Sequence, residues 1–564
     1  MWNETQFEQL KKAIQQAEII SFDVFDTLIV RLTNTPEDVF SLLERKIEVR
    51  GLADWRQKCQ MLASQQVEQE ENKAHADLDD IYEYLAKVHG KSADWDKVKE
   101  QEISIERQVL RVNPEMYEIY QYALSLKKRI IVTSDMYFDQ ATVQNLVEDC
   151  GYHHIDYFYV SATENHTKFR GDIYPYIAEK EGIKPGMILH IGDNENSDVK
   201  LAQEAGWNAF LYVRNTIPNE EYMQQAGIFD LGVGRYVQTG AFWHDLGAYV
   251  GGPLYVGIVQ WIEDIRKSNP DRPVFFLARD GYNLFQLSKQ QNWSDCHYMY
   301  ASRRALTLAG ITELNEDALA LLPPYTLGQT VEDVIRYIEL EGTAEEQLKK
   351  IGFSGYDARI ETVDDMDKFK ELYVMNEKTF LAKCQQEQEN AKKYFEEIGL
   401  LKEDSIIFDC GWNGSSQYLL NRVLKEIGYD KENKFVYIGI LATVKSRRQL
   451  KNIEYDTYLF DIDKNERVQK ELSPVVALLE LFFGAPQESL LKYGNDGLVF
   501  ETLGNDESYK NEICQGLVDF VDTAQTLYEQ YDITNEAAVS LESFLRLIKH
   551  PSEQEAVTIG DIPE

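Results

Sequence analysis

The stretch "SFDVFDTLIVRL" (21–32) sets two carboxylates, Asp23 and Asp26, in an otherwise apolar run. A carboxylate in such a setting is costly unless something pairs or uses it. Three later stretches carry polar groups of matching chemistry. "RIIVTSDMY" ends in Thr133, Ser134 and Asp135, "SATENHTKFRGD" carries Lys168, and "MILHIGDNENSD" carries Asp193 and Asp198. Together they form an inventory for phosphoryl transfer. Asp23 can attack phosphorus and pass through an aspartyl-phosphate. Asp193 and Asp198, with Asp23, offer hard oxygen ligands for Mg²⁺. Lys168 can hold both Asp23 and the transferring group as a point charge, and Ser134 can donate a hydrogen bond to a phosphoryl oxygen.

The elements that must position these residues are short apolar runs at 18–22, 129–133, 156–160, 187–191 and 209–213, separated by amphipathic helical patterns. That alternation predicts a parallel sheet covered by helices on both faces. Ligands of such sheets bind beyond the carboxyl ends of the strands, where the four motifs fall. Between the first two runs lies a long helical insertion, 31–114. Its first helix should begin at "NTPEDVF", with Thr35 as N-cap, Pro36 at the first helical position and Asp38 near a capping-box position.

In this order and context the four motifs resemble the haloacid dehalogenase (HAD) superfamily. "DVFDTL" is similar to its first motif, Ser134 to the second, Lys168 to the third and "GDNENSD" to the fourth, over roughly residues 15–215. The resemblance implies an Asp23 nucleophile and Mg²⁺ held by Asp23, Asp193, Asp198 and the backbone carbonyl of Phe25. It also implies that 31–114 is a helical cap. Phe25 departs from the pattern: phosphatases of the superfamily carry a second aspartate there, which protonates the leaving oxygen, and a phenyl ring moves no proton. Dehalogenases of the superfamily have an aromatic at that position, but their fourth motif does not normally keep an aspartate like Asp193, so phosphate is taken ahead of halide. Asp26 stands where the family more often has glycine; either it replaces the missing acid or it caps the turn.

A second alternating region follows. "PVFFLARDGY" (273–282), "CHYMYASRRA" (296–305), "SIIFDCGWNGSSQ" (405–417) and "KFVYIGILAT" (434–443) read as strands, with an acidic, mostly helical insertion at about 312–402. Strand, polar or glycine-rich loop, then helix is a grammar that favours anions. Arg279, Arg303 and Arg304 are candidate anion clamps beside Asp280 and Asp409. Gly411 and Gly414 permit tight turns, and Ser415 and Ser416 suit an N-cap. The arrangement resembles the companion region beside HAD-type domains in large bacterial proteins of surface-polysaccharide loci, which implies a sugar-phosphate or nucleotide-sugar site.

Composition narrows the classes. The 564 residues carry 58 basic and 95 acidic side chains, a formal net charge of −37, so neither nucleic acid nor an anionic membrane surface is a natural partner. The six cysteines stand singly, with no CxxC or Cys/His metal spacing. The opening "MWNETQFEQL" has no signal-peptide pattern, and "LGAYVGGPLYVGIVQWI" (246–262) reads as a buried helix entered through a Gly-Gly-Pro turn, not as a membrane span. A soluble, cytoplasmic chain is expected.

The expected fold class is α/β: a Rossmann-like HAD core (1–30 and 115–215) with an inserted helical cap (31–114), then a second α/β domain (216–445) and a mixed α/β region (446–564). The expected function is that of a Mg²⁺-dependent phosphohydrolase or phosphotransferase. Its substrate would be a small phosphorylated metabolite, a sugar phosphate or nucleotide sugar, in polysaccharide biosynthesis. The alternatives are a binding or scaffold protein whose turnover is impaired at Phe25, and a metal-independent dehalogenase. Oligomeric state is not readable.

Overall fold

The computed structural model describes residues 4–562 apart from 71–72, 323–327, 338–339, 341, 430–432 and 502–506. The chain forms two compact units, Met1–Gly257 with Gln515–Glu564, and Ile258–Cys514. Each contains a five-stranded parallel sheet, so the protein is α/β twice over.

In the first unit, β1 (Ile19–Phe22) lies at the centre of the sheet. It is followed by the short strands β2 (Ile29–Arg31) and β3 (Leu110–Val112), then by β4 (Arg129–Ser134), β5 (Tyr157–Val160), β6 (Ile188–Gly192) and β7 (Asn208–Leu211). The sheet order is β5-β4-β1-β6-β7. The β1 strand is wholly buried and pairs in parallel with β4 and β6, Phe22 standing opposite Val132 and Ile191. A strand buried on both faces explains why "IISF" carries apolar side chains on both faces, Ser21 apart, and does not alternate with exposed polar ones. Ile19, Ile131 and Tyr159 from the sheet pack with Ile173, Ile177 and Trp207.

The insertion after β1 holds the helices Asp38–Ile47, Leu52–Glu70, Leu78–His89 and Trp95–Val109, and closes where β2 pairs antiparallel with β3. Its core includes an ion pair withdrawn from water: Arg56 Nε and Nη2 each donate to Glu102 at 2.7 Å, and the Tyr82 hydroxyl donates to the same carboxylate at 2.7 Å. The first helix starts later than expected, at Asp38 with Glu37 as N-cap and no side-chain cap. Thr35 and Pro36 instead form a preceding turn, in which the Asp38 carboxylate accepts from the Thr35 amide at 2.7 Å. Half of the expected capping box survives without the helix it was to begin.

The glycine-rich stretch before residue 262 is also different from its reading. Helical backbone runs from Phe242 to Ser268 with no Gly-Gly-Pro turn; a wider turn at Gly247–Gly251 precedes Gly252–Ser268. Pro253 has no N–H to contribute and is accommodated just after that widened turn. A Cβ on Gly252 would meet the Phe520 ring at 2.3 Å, which explains the glycine. Among the described residues no helix is long and apolar enough to cross a membrane.

The second unit contains β8 (Val274–Leu277), β9 (Cys296–Met299), β10 (Ile406–Trp412), β11 (Lys434–Ile440) and β12 (Tyr455–Phe460), in the order β12-β11-β10-β8-β9. A hairpin, β13 (Leu490–Gly494) and β14 (Gly497–Phe500), forms a separate two-stranded antiparallel sheet. The strands end sooner than the apolar stretches suggest, because Arg303 and Ser415 already begin helices, Arg303–Ala309 and Ser415–Glu426. Helices dominate between β9 and β10, the longest being Val363–Met375 and Glu377–Glu397.

Candidate active site

Asp23 is the first residue past β1. Its amide donates to the Ile191 carbonyl of β6 at 2.8 Å, so the sheet register aims its side chain over the carboxyl ends of the strands. Lys168 lies on the loop after β5 and is buried, not a surface lysine. Its Nζ donates to Asp23 Oδ1 at 2.5 Å and to Asp198 Oδ1 at 2.6 Å. Asp135, beyond the end of β4, accepts from the backbone amides of Lys168 and Phe169 at 2.8 and 2.9 Å and so fixes the loop that presents the ammonium. Ser134 is the last residue of β4 and is buried.

After β6 the chain turns tightly at Gly192. A Cβ there would come within 2.4 Å of the Asp198 carboxyl, so only glycine lets this carboxylate fold back over the strand end. Asn194 caps the following helical turn by accepting from the amides of Asn196 and Ser197, while its own amide donates to Asp198 Oδ2 at 2.9 Å. Oxygens of Asp23, Asp193 and Asp198 all lie within 4.8 Å of one another. Three carboxylates that close form a donor set suited to a hard divalent cation such as Mg²⁺.

The electrostatics agree with that fit. Burial pushes the Asp23 carboxyl above its ordinary value; Lys168 opposes the shift, and Asp198 and Asp193 add to it. Burial, with Asp26 and Asp198 adding, pushes Asp193 up to about 6. Asp198 is held low against the cost of its burial by the Lys168 ammonium and by His190. One lysine does not balance three carboxylates, and a cation among them would relieve the remainder.

Beneath the carboxylates runs a buried polar chain across three neighbouring strands. Thr133 Oγ1 of β4 meets Ser21 Oγ of β1 at 2.8 Å, Ser21 Oγ meets His190 Nδ1 of β6 at 2.9 Å, and His190 Nε2 lies 3.4 Å from Asp198 Oδ1. Sequence reasoning missed Ser21 and His190. The available signal was a polar residue inside each of two strands buried on both faces.

Phe25 and Asp26 part company. The Phe25 ring lies under the Arg31 guanidinium, 4.4 Å from its centroid, and Arg31 is itself bound bidentately by Glu106. Asp26 takes the left-handed backbone conformation, φ 59°, a region that favours glycine. Its carboxylate pairs with Arg214 at 3.0 Å. Asp26 also lines a cavity of about 180 Å³ with Arg31, Asn113, Tyr212, Arg214 and Arg235. Nothing in the local sequence marked Arg214 or Arg235 for this place.

In the second unit, Arg279, Asp280, Arg303, Arg304 and Asp409 line one cavity of about 300 Å³. Arg304 is buried and donates to the Leu491 carbonyl. Gly411 and Gly414 adopt φ 115° and 68° in the loop after β10. Gly414, not a serine, is the N-cap of Ser415–Glu426, because the left-handed turn there leaves the serines inside the helix. Ser415 faces away from Asp409, donating to Gln449 Oε1 at 3.0 Å and lining an adjoining cavity.

Residues 17–206 match the family of haloacid dehalogenase-like hydrolases. No curated protein matches the chain. Among solved structures, the chain is similar to the L-2-haloacid dehalogenase of Xanthobacter autotrophicus, at 18% identity over 38% of this chain and 86% of that one, with a TM-score of 0.29. It is also similar to a predicted phosphoglycolate phosphatase of Haemophilus somnus, at 16% identity over 34% and 84%, with a TM-score of 0.24. A HAD family enzyme of Bacteroides thetaiotaomicron aligns at 15% identity over 37% and 98%, with a TM-score of 0.28.

Proposed function

We propose that the haloacid dehalogenase-like hydrolase domain of this chain is a Mg²⁺-dependent phosphohydrolase or phosphotransferase acting on a small phosphorylated metabolite. The observation that carries this reading is the meeting of Asp23, Lys168, Asp193 and Asp198 at the carboxyl ends of β1 and β6. In this reading Asp23 attacks phosphorus in line and becomes the aspartyl-phosphate. Lys168 orients Asp23 and neutralises the transferring group, and Ser134 donates to a phosphoryl oxygen. Asp23, Asp193, Asp198 and the Phe25 carbonyl would hold Mg²⁺, which when bound supplies positive charge to the phosphoryl oxygens. Asp193, as a third carboxylate for a cation, also favours phosphoryl transfer over displacement of a halide.

We take the inserted helices 31–114 as a cap that limits water at the site. In support, residues of the insertion reach the loops that carry Lys168. Glu68 pairs with Arg170 at 2.7 Å, the Ala74 amide donates to Asn165 Oδ1 at 2.7 Å, and His75 Nε2 lies 2.6 Å from Ser161 Oγ. The alcohol oxygen must gain a proton as its bond to phosphorus breaks, and water then attacks phosphorus of the aspartyl-phosphate to release phosphate and restore Asp23. Asp26 is the nearest carboxyl in sequence to Phe25, and it is engaged by Arg214. That engagement favours a second reading, a HAD-like domain that binds phosphorylated ligands and turns them over slowly. A role in polysaccharide biosynthesis belongs to the same proposal, through a sugar phosphate or nucleotide sugar as substrate.

The test is hydrolysis of an aryl phosphate and a sugar-phosphate panel with Mg²⁺ or EDTA, beside Asp23→Asn. Metal-dependent phosphate release lost in Asp23→Asn supports the enzyme. Silence across the panel, with Mg²⁺ still raising the melting temperature, supports the binding reading.

A further inference from the structure

The cavity of about 180 Å³ beside Asp26 is lined by none of Asp23, Lys168, Asp193 and Asp198. It lies between β2, the start of the helix Pro114–Ser125, the segment after β7 and the helix Leu231–Tyr236. One whole side of it, from Tyr212 to Gln238, comes from beyond residues 17–206, the part of the chain that matches the hydrolase family. That side is fixed by packing. A Cβ on Gly232 would meet the Thr33 carbonyl at 2.2 Å, so the helix Leu231–Tyr236 rests directly on the chain leaving β2. Arg235 Nη2 donates to the Asn34 carbonyl at 2.8 Å and holds it there. A wall built this way is in place before any ligand arrives.

Most polar side chains around the cavity already have partners. Arg31 is matched by Glu106, and Arg235 Nη1 donates to Glu220 at 3.1 Å. Asn113 Nδ2 donates to the Thr27 carbonyl and to the Tyr212 hydroxyl, which in turn donates to Glu115. Gln238 Nε2 donates to the Thr216 carbonyl. Two donors remain open. Arg214 gives Asp26 a single hydrogen bond from Nη1 at 3.0 Å, and among the described residues its guanidinium makes no other. Both side chains of that pair are partly exposed, and a one-contact pair of this kind is worth about 0–1 kcal/mol. The Nε–Nη2 edge is left for two oxygens of one anion. The Tyr236 hydroxyl makes no hydrogen bond among the described residues.

The rest of the lining is apolar, from Val30, Pro114 and the rings of Tyr212 and Tyr236. Apolar walls with a few convergent polar groups are the usual make-up of a small-molecule pocket. The volume is close to the roughly 150 Å³ of an engineered cavity that takes benzene, so it suits one six-membered ring. A polyol would leave these walls without apolar contact. Asp26 also stands beside the open guanidinium edge, and it repels a doubly charged phosphate more than a singly charged carboxylate. An arginine edge, a phenolic hydroxyl and apolar walls together select a carboxylate on a small ring.

We propose that this cavity is a binding site for a small cyclic carboxylate, its head group on Arg214 and the Tyr236 hydroxyl and its ring between Val30, Pro114 and Tyr212. The inference does not depend on turnover at Asp23. The carboxylate belongs either to the far end of the molecule whose phosphoryl group reaches Asp23 or to a separate ligand, and the experiment tells the two apart.

Full-length protein in EDTA is titrated calorimetrically with benzoate, cyclohexanecarboxylate, acetate and benzyl alcohol. The expected result is saturable binding of at least one ring carboxylate, with acetate and benzyl alcohol, which carry only the head or only the ring, at least tenfold weaker. Arg214→Ala should weaken the ring carboxylate roughly tenfold or more, the size of one lost charge-assisted hydrogen bond, and Arg214→Lys should recover part of it. Arg214 is partly exposed, so its removal spares the core, and Tyr236→Phe removes the second donor without emptying the cavity. Lys168→Met should leave the binding unchanged. In turnover assays, a ring carboxylate that competes with phenyl phosphate places the cavity at the far end of the substrate, and one that binds without competing is a separate ligand. The titrations read the site whether or not the protein turns over phosphate esters. The proposal is overturned if neither ring carboxylate binds at millimolar concentration. It is equally overturned if binding survives Arg214→Ala undiminished or is lost in Lys168→Met.

Discussion

Lys168 Nζ sits between Asp23 and Asp198, 2.5 Å from one carboxylate and 2.6 Å from the other. The two acids come from the ends of adjacent strands, and the lysine reaches them from a third element held down by Asp135. This arrangement ties the orientation of the Asp23 carboxylate to the loop after β5. Lys168→Met is therefore expected to lower phosphate release by roughly 10²-fold or more, the range for loss of one preorganised electrostatic contact. Lys168→Arg, which keeps charge but not shape, should recover only part. Steady-state kinetics checks both, and unchanged turnover in Lys168→Met would count against a role in the reaction.

Asp193, pushed up to about 6, makes cation binding pH-dependent. The sign follows from the raised value: proton binding favours the folded, metal-free protein, fully so below the ordinary carboxylate range, and this benefit is lost as pH rises through 6. A cation must displace that proton. Mg²⁺ affinity is thus expected to rise by up to about tenfold per pH unit through 6, and the Asp23 carboxyl, raised as well, extends the rise above that. Calorimetry in buffers of different ionisation enthalpy reads the released proton, and Asp193→Asn should flatten the profile.

Gly192 carries a steric prediction. A methyl group there would collide with the Asp198 carboxyl at 2.4 Å, and backbone φ is not the obstacle. Gly192→Ala should displace Asp198 and abolish the rise in melting temperature with Mg²⁺ while the fold persists. An undiminished Mg²⁺ response in a folded Gly192→Ala protein would remove Asp198 from the cation site.

The Arg56–Glu102 pair tests the inserted helices. Both side chains are fully withdrawn from solvent. Arg56→Met strands the Glu102 charge and is expected to cost about 3–5 kcal/mol, whereas Arg56→Met with Glu102→Leu should return most of it. Denaturant unfolding of the two variants separates a charge-burial penalty from simple loss of packing.

Much of this architecture was legible because the strands of the first sheet are buried on both faces. Asp23, Lys168, Asp193 and Asp198 stand out against such apolar runs, and their places at strand ends follow from parallel topology. Ser21 and His190 were hidden for the opposite reason: a single hydroxyl or imidazole inside a strand looks incidental until the neighbouring strands supply Thr133 and Asp198 as partners. Arg214 and Arg235 reach the Asp26 cavity through tertiary packing that no local spacing encodes. Helix starts at Thr35 and Ser415 misled because capping residues were present while the backbone turned differently, into a separate turn before Asp38 and a left-handed Gly414. Phe25 was visible as a departure, but its place under Arg31 depends on Glu106, far along the chain.

The central claim is that Asp23 is the nucleophile. Its most direct test is mass spectrometry of protein mixed with an aryl phosphate and Mg²⁺, quenched in acid during turnover and digested. The expected result is one phosphoryl group on the peptide containing Asp23, absent from Asp23→Asn and lost on standing at neutral pH. Phosphate release that continues in Asp23→Asn, or a phosphoryl group found on another residue, would contradict it.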